Sequence, residues 1–144
     1  VHEKYGLGVA GVKEVPWHLV MKYCSLDASL IEQNVYHVKD MVEKPKTREE
    51  AFTNLSILGR VILPASIFDI LEHTGPGAGG EIQLTDAMRE LCIQEGMYAV
   101  DFEGTRYDMG SKLGFLIANV REGVKNEEVS DEFKAFLKAF SQEL

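Results

Sequence analysis

The chain is poor in the residues from which catalytic and metal chemistry is most easily read. Its 144 residues hold two cysteines, Cys24 and Cys92, with no Cys-x-x-Cys pair and no Cys/His cluster. Neither a zinc site nor a disulfide framework is therefore indicated, and both are expected to be reduced thiols. No apolar run approaches the roughly 18 residues that cross a bilayer, and no basic-then-apolar signal segment opens the chain. The expected compartment is the cytoplasm. Positive charge is in deficit: 15 Lys and Arg against 23 Asp and Glu give a net charge of −8. That balance argues against nonspecific binding to nucleic acid or to an anionic membrane, while a local basic pocket for phosphate stays allowed. His2, His18, His37 and His73 form no ligand spacing, and no Ser/His/Asp grouping or Gly-x-x-x-x-Gly-Lys-Ser/Thr phosphate loop is present. There is no internal repeat, low-complexity tract or dividing linker.

What is present is an ordinary globular balance, 45% hydrophobic and 26% charged, enough for one domain with a real core. The start, Val1 to Gly8, reads as the last turn of a helix ending at Gly6, so the chain is expected to begin inside an element, as a fragment, a processed product or an engineered domain would. A strand is predicted over Val9–Val15 and ended by Pro16, with a short helical turn from Trp17 to Lys22. A second strand, Val35–Val42, is expected to bury Tyr36, Val38 and Val42 on one face. Thr47-Arg-Glu-Glu50 fits a capping box opening a brief helical turn. A third strand spans Ile57–Leu63, and Pro64 is expected to start a helix turning Ile67, Phe68 and Leu71 inward.

Next comes Gly75-Pro-Gly-Ala-Gly-Gly-Glu-Ile-Gln-Leu-Thr-Asp86, four glycines and a proline ahead of a helical start. Glycine lets a backbone approach a ligand closely, and a helix N-terminus offers unpaired N–H groups to an anion, yet a plain helix-entry loop has the same composition. Ala87, Met88, Leu91 and Cys92 mark one face of the following helix, which ends near Gly96, and Met97–Phe102 forms a further strand. Leu113, Leu116, Ile117, Val120 and Val124 keep a 3.6-residue period. A last helix from about Asp131 carries Phe133, Phe136, Leu137 and Phe140, with Ser130 as its cap. Such stripes are core or subunit contact, and the alternation of helix and strand reads as one α/β layer system with a helical C-terminus.

Three residues stand out chemically. Glu43 and Lys44 sit at a strand end before Pro45, where ligands of open α/β sheets collect. They are either a solvated ion pair or a carboxylate for sugar hydroxyls beside an ammonium for phosphate. Consecutive strand residues face opposite sides, so both can serve one ligand only if the proline-associated bend redirects one. Asp108, before Met109-Gly110, is either turn chemistry or a hard oxygen ligand for Mg²⁺.

Taken in order, Val42-Glu-Lys-Pro-Lys46, Asn54-Leu-x3-Gly-Arg60, Pro76-Gly-Ala-Gly-Gly-Glu-Ile-Gln-Leu-Thr-Asp-Ala87 and Phe102-Glu-Gly-x-Arg-Tyr-Asp-x-Gly-x-Lys-x-Gly114 closely resemble bacterial UTP:glucose-1-phosphate uridylyltransferases, or UDP-glucose pyrophosphorylases. The related thymidylyltransferases share the Glu-Lys-Pro logic, but the glycine-rich segment looks like the uridylyl branch. The resemblance implies a Rossmann-like nucleotidyltransferase fold with a mixed sheet flanked by helices, and a homo-oligomer. Its N-terminal half, with a Gly-x-Gly-Thr-Arg motif and a second metal aspartate, has no counterpart here. The expectation is one partial domain over 1–144: the sugar-phosphate half to about 110, then C-terminal helices from about 111.

By the same resemblance Glu43 would hold glucose hydroxyls, Lys44 the sugar phosphate and Asp108 one side of Mg²⁺, with Asp27, Gly59 and Glu81 also on the substrate side. Cys24 stands where the family's Lys-Tyr-Gly-x-x-Asp motif has a glycine against the sugar. The implied reaction joins UTP and glucose 1-phosphate into UDP-glucose and pyrophosphate. This polypeptide alone is expected to be inactive, and a noncatalytic sugar-phosphate-binding or assembly module is the alternative.

Overall fold

Glycines and prolines mark most element boundaries in the computed structural model, which describes residues 1–144. Helix α1, His2–Tyr5, ends where Gly6 turns left-handed at φ 73°, as the sequence requires. Strand β1, Gly8–Glu14, is followed by a 3₁₀ turn over Trp17–Lys22. Strands β2 (Cys24–Glu32), β3 (Val35–Glu43) and β4 (Leu55–Ile62) come next, then helices α2 (Ser66–His73) and α3 (Leu84–Glu95) and strand β5 (Met97–Asp101). Helices α4, Lys112–Gly123, and α5, Ser130–Phe140, complete the chain. Val1–Glu103 and Gly104–Leu144 form two structural units. No helix is long and apolar enough to cross a membrane.

In the first unit the five strands run in the order β1-β4-β2-β3-β5 and close on themselves. Only β1 and β5 are parallel; every other pair is antiparallel, so the sheet is mixed. The expected alternation of helix and strand is thus broken by three successive strands. Strand β2 went unread although Cys24, Leu26, Ala28 and Leu30 alternate with Ser25, Asp27 and Ser29; the small Cys24 and Ala28 make a weak apolar stripe, yet Cys24, Leu26 and Ala28 pack on the core. Its β2–β4 seam is the single register pair Ser25↔Ser56, both fully buried. Ser25 exchanges hydrogen bonds with Thr53, donating to its carbonyl at 2.7 Å and accepting its N–H at 3.1 Å.

Strand β3 departs from simple alternation. Val38 is buried and Tyr36 packs partly buried against the core, as expected, but past the bulge Met41 is buried and Val42 only half-buried, because the register passes from Asp27↔Asp40 to Ala28↔Val38 and leaves Lys39 as an extra residue. A bulge shifts the inward positions by one, so Met41 takes the place expected for Val42. Thr47 to Glu50 forms the expected brief turn, which does not extend into a regular helix. The Thr47 hydroxyl accepts the Glu50 N–H at 3.4 Å, and the Glu50 carboxylate reaches back to the Lys46 N–H at 2.7 Å.

The core joins Val12, Leu26, Val38, Met41 and Met97 to the inner face of α3, where Ala87, Met88, Leu91 and Cys92 are buried as the periodicity predicts. Burying one large apolar side chain is worth about 1.5–3 kcal/mol, which makes this face the main anchor of the helix. Helix α3 packs on β3 and α2 on α3. On α2 the inward residues are Ile67 and Ile70, with Leu71 partly buried; Phe68 is 69% exposed, one helical position off the inward stripe.

In the second unit Ser111 caps α4 by accepting the Gly114 N–H at 2.9 Å. Only Ala118 of α4 is buried; Leu113, Leu116, Ile117 and Val120 are exposed despite their helical period. Ser130 is the first residue of α5 rather than its cap, and its hydroxyl donates to the Val124 carbonyl at 2.8 Å. Phe133, Phe136 and Phe140 stack in series, their ring centres 6.3 and 5.8 Å apart.

Candidate functional site

Three chain segments converge at the end of β3. Strand β2 begins opposite it with Cys24↔Glu43 in register, and the bulged stretch of β4 and the first turn of α3 complete an open cavity of about 190 Å³. Its lining includes Tyr23, Cys24, Glu43, Gly59, Thr85 and Met88. Glu43 and Gly59 thus meet there, as two of the residues singled out in sequence.

The Glu43 side chain is 11% exposed and is held by the Thr85 hydroxyl, which donates to Oε2 at 2.9 Å. Lys44 Nζ lies 3.7 Å from Glu43 Oε1, with 48% of its side chain exposed. Lys44 is the one non-glycine residue with positive φ, at 46°, and its N–H donates to the Tyr23 carbonyl at 3.1 Å. The expected redirection is therefore a left-handed residue before the buried Pro45. For a non-glycine residue that conformation costs roughly 1–2 kcal/mol, and strain of this kind collects at functional sites.

Gly59 sits in the β4 bulge, between the pairs Val12↔Ile57 and Ala10↔Val61, with φ 75°. The glycine-rich segment folds back over the start of α3. Gly77 donates to the Glu81 carbonyl at 2.8 Å, Gly79 and Gly80 adopt φ 76° and 78°, and Gln83 Nε2 donates to the Ala78 carbonyl at 2.9 Å. A second cavity of about 410 Å³ borders this loop, lined by Glu43, Glu50, Phe52, Gly77, Asp86 and Arg89 among others. Arg89 grips Asp40 with two hydrogen bonds, Nε to Oδ1 at 2.6 Å and Nη2 to Oδ2 at 2.9 Å, which hold the Asp40 carboxyl below its usual range.

Cys24 is 3% exposed. Burial holds its thiol well above the usual range, and the nearby Glu43 and Asp86 carboxylates push the same way. It is a packing residue of the cavity wall and not a nucleophile. Asp27 is half-buried on β2, three register positions along from Cys24, and lies outside the cavity lining; Glu81 is exposed beyond the glycine turn. Thr85, which the sequence places only in the polar run Glu81, Gln83, Thr85 and Asp86 of the helix entry, is the residue the fold adds to the site. Its signal was present in the segment Leu84-Thr-Asp86 but not separable there from ordinary helix-entry chemistry.

Asp108 belongs to the second unit. Its Oδ1 accepts the Gly110 N–H at 3.2 Å and its carbonyl accepts the Ser111 N–H at 3.3 Å, which is the turn chemistry expected of Asp before Gly110. No group of three or more His, Cys, Asp or Glu residues has metal-binding geometry. One hard carboxylate fits Mg²⁺ as a partial ligand set, because that ion keeps waters and takes only one or two protein carboxylates.

No family model matches the chain. Its fold is that of UDP-glucose pyrophosphorylases: a crystal structure of one complexed with UDP-glucose superposes with a TM-score of 0.83 at 40% identity, over 87% of this chain and 47% of the other. Among curated proteins, the UTP–glucose-1-phosphate uridylyltransferase of Staphylococcus epidermidis is 46% identical over 138 residues, covering 96% of this chain and 48% of that protein. The uridylyltransferase YngB of Bacillus subtilis is 43% identical over 137 residues, covering 95% and 46%. The chain is a homologue of the UTP–glucose-1-phosphate uridylyltransferases, and it spans about half the length of these relatives, consistent with a C-terminal half.

Proposed function

We propose that this chain supplies the sugar-phosphate side of a site that joins UTP and glucose 1-phosphate into UDP-glucose and pyrophosphate. The observation that carries the reading is the pairing of an anchored carboxylate in the cavity wall with the half-exposed ammonium of the next residue, whose backbone is left-handed. Glu43 accepts sugar hydroxyls there, and Lys44 takes the phosphate as a point charge. Gly59 lets the β4 backbone approach the sugar, while Asp27 and Glu81 contribute from outside the cavity wall. The nucleotide side belongs to the other half of a Rossmann-like nucleotidyltransferase fold.

A phosphate oxygen of glucose 1-phosphate attacks the α-phosphorus of UTP, and pyrophosphate leaves; no covalent enzyme intermediate is needed. The task of the protein is positioning and charge neutralisation. Asp108 would hold Mg²⁺, which when bound offsets phosphate charge. The exposed apolar residues of α4 and α5 support a homo-oligomer, and the assembly is cytoplasmic.

The test is pyrophosphate release with UTP, glucose 1-phosphate and Mg²⁺. The full-length protein is expected to be active and the 144-residue chain alone inactive. Lys44→Ala in the full-length protein is expected to lower turnover at least ~10²-fold, the scale of a lost electrostatic contact. Pyrophosphate from the lone chain overturns the division of labour, and near-normal turnover in the variant removes Lys44 from the mechanism.

A further inference from the structure

Glu43 has two carboxylate oxygens with different surroundings. Oε1 faces the Lys44 ammonium at 3.7 Å, whereas Oε2 accepts from the Thr85 hydroxyl at 2.9 Å. Thr85 lies in the first turn of α3, and that turn is fixed from both ends: the glycine loop folds back onto it, and Ala87 and Met88 anchor it in the core. A carboxylate that is 89% covered on its side chain and has one oxygen tied to a rigid helix cannot rotate freely about its last bond. A hydrogen bond to an ionised acceptor is stronger than a neutral one, which suits Thr85 to set that plane.

We infer that Thr85 is a positioning residue for the sugar-phosphate substrate, orienting the Glu43 carboxylate so that Oε1 and the remaining lone pair of Oε2 face the ligand hydroxyls. The inference rests on the function proposed above. It also gives the glycine-rich segment a task that its composition did not reveal. The loop carries no cation for phosphate; it delivers a helix whose second residue aims a carboxylate on a neighbouring strand.

The test is calorimetric titration of the full-length protein with glucose 1-phosphate, comparing Thr85→Val, which keeps the shape and loses the hydroxyl, with Thr85→Ser, which keeps the hydroxyl. Thr85→Val is expected to weaken binding roughly 10-fold, the scale of one hydrogen bond to a charged group, with UTP affinity unchanged. Thr85→Ser is expected to stay within about 2-fold of the parent. In a Glu43→Gln background the Thr85→Val effect should shrink below about 3-fold, since the orientation it sets no longer matters to the same degree. Equal weakening by Val and Ser, or a parental affinity for Thr85→Val with Glu43→Gln weakened, overturns the inference alone. Parental affinity in Glu43→Gln, or no binding of glucose 1-phosphate by the parent protein, overturns the substrate reading and this inference together.

Discussion

Lys44 Nζ stands 3.7 Å from Glu43 Oε1 although the two residues are consecutive at a strand end, because the backbone is left-handed at Lys44. The pairing exists at the expense of backbone strain, which separates the stability and binding effects of substitution. Lys44→Gly is expected to be more stable than Lys44→Ala by about 1 kcal/mol, since only glycine adopts that φ freely. Both variants should lose affinity for glucose 1-phosphate to the same extent. Urea unfolding and titration of the two check this; equal stability would show that φ 46° is not strained here.

A side chain at Gly77 would collide with the Asp86 carboxylate, whereas one at Gly75 would meet open space. Gly77→Ala is expected to destabilise by about 1 kcal/mol, because the half-buried Asp86 carboxylate must rotate out of its place. Gly75→Ala is the control and should be neutral or slightly stabilising. Thermal melts of the two variants suffice.

Arg89 lowers the Asp40 carboxyl through its paired hydrogen bonds, assisted by the Met41 N–H. A carboxyl lowered on folding adds stability above its unfolded value near ~3.9, and that contribution is lost as pH falls through the folded value. With half of Arg89 exposed, solvent screening limits the pair to about 1 kcal/mol or less. Asp40→Asn should therefore cost a small amount at pH 7 and flatten the stability curve below about pH 4. A variant curve parallel to the parent's through that range would remove the assignment.

Burial pushes the Cys92 thiol up to about 11 and raises Cys24 as well. Unfolded thiols ionise near ~8.5, so the native state holds more protons than the unfolded state above that pH. Stability is expected to fall as pH rises past about 8.5 and towards 11, and a double Cys→Ala variant should show a shallower alkaline slope. At pH 8 both thiols should resist Ellman's reagent until urea unfolds the chain. Rapid native labelling of either would contradict their burial.

How much was readable follows from which interactions are local. The Gly6 terminus, the 3₁₀ turn after Pro16 and the inner face of α3 all matched, because φ limits, missing donors and 3.6-residue spacing act within a few residues. The alternation of β2 over Cys24–Leu30 was local too and was overlooked, whereas the inward face of β3 beyond its bulge was misassigned for the opposite reason. A bulge and a sheet closed through Ser25↔Ser56 depend on partners far along the chain. The exposed stripe of α4 shows the same limit: periodicity gives the face of a helix but not what covers it.

The sequence by itself determined the residue types of the site, the relationship to the uridylyltransferases and the places where the backbone had to turn. Only the tertiary structure decided that Lys44 bends back toward Glu43, that Cys24 is inert wall, and that Thr85 holds the carboxylate from 42 positions away. Residue chemistry is written locally, but orientation comes from strand register and helix packing, which exist only once distant segments have met.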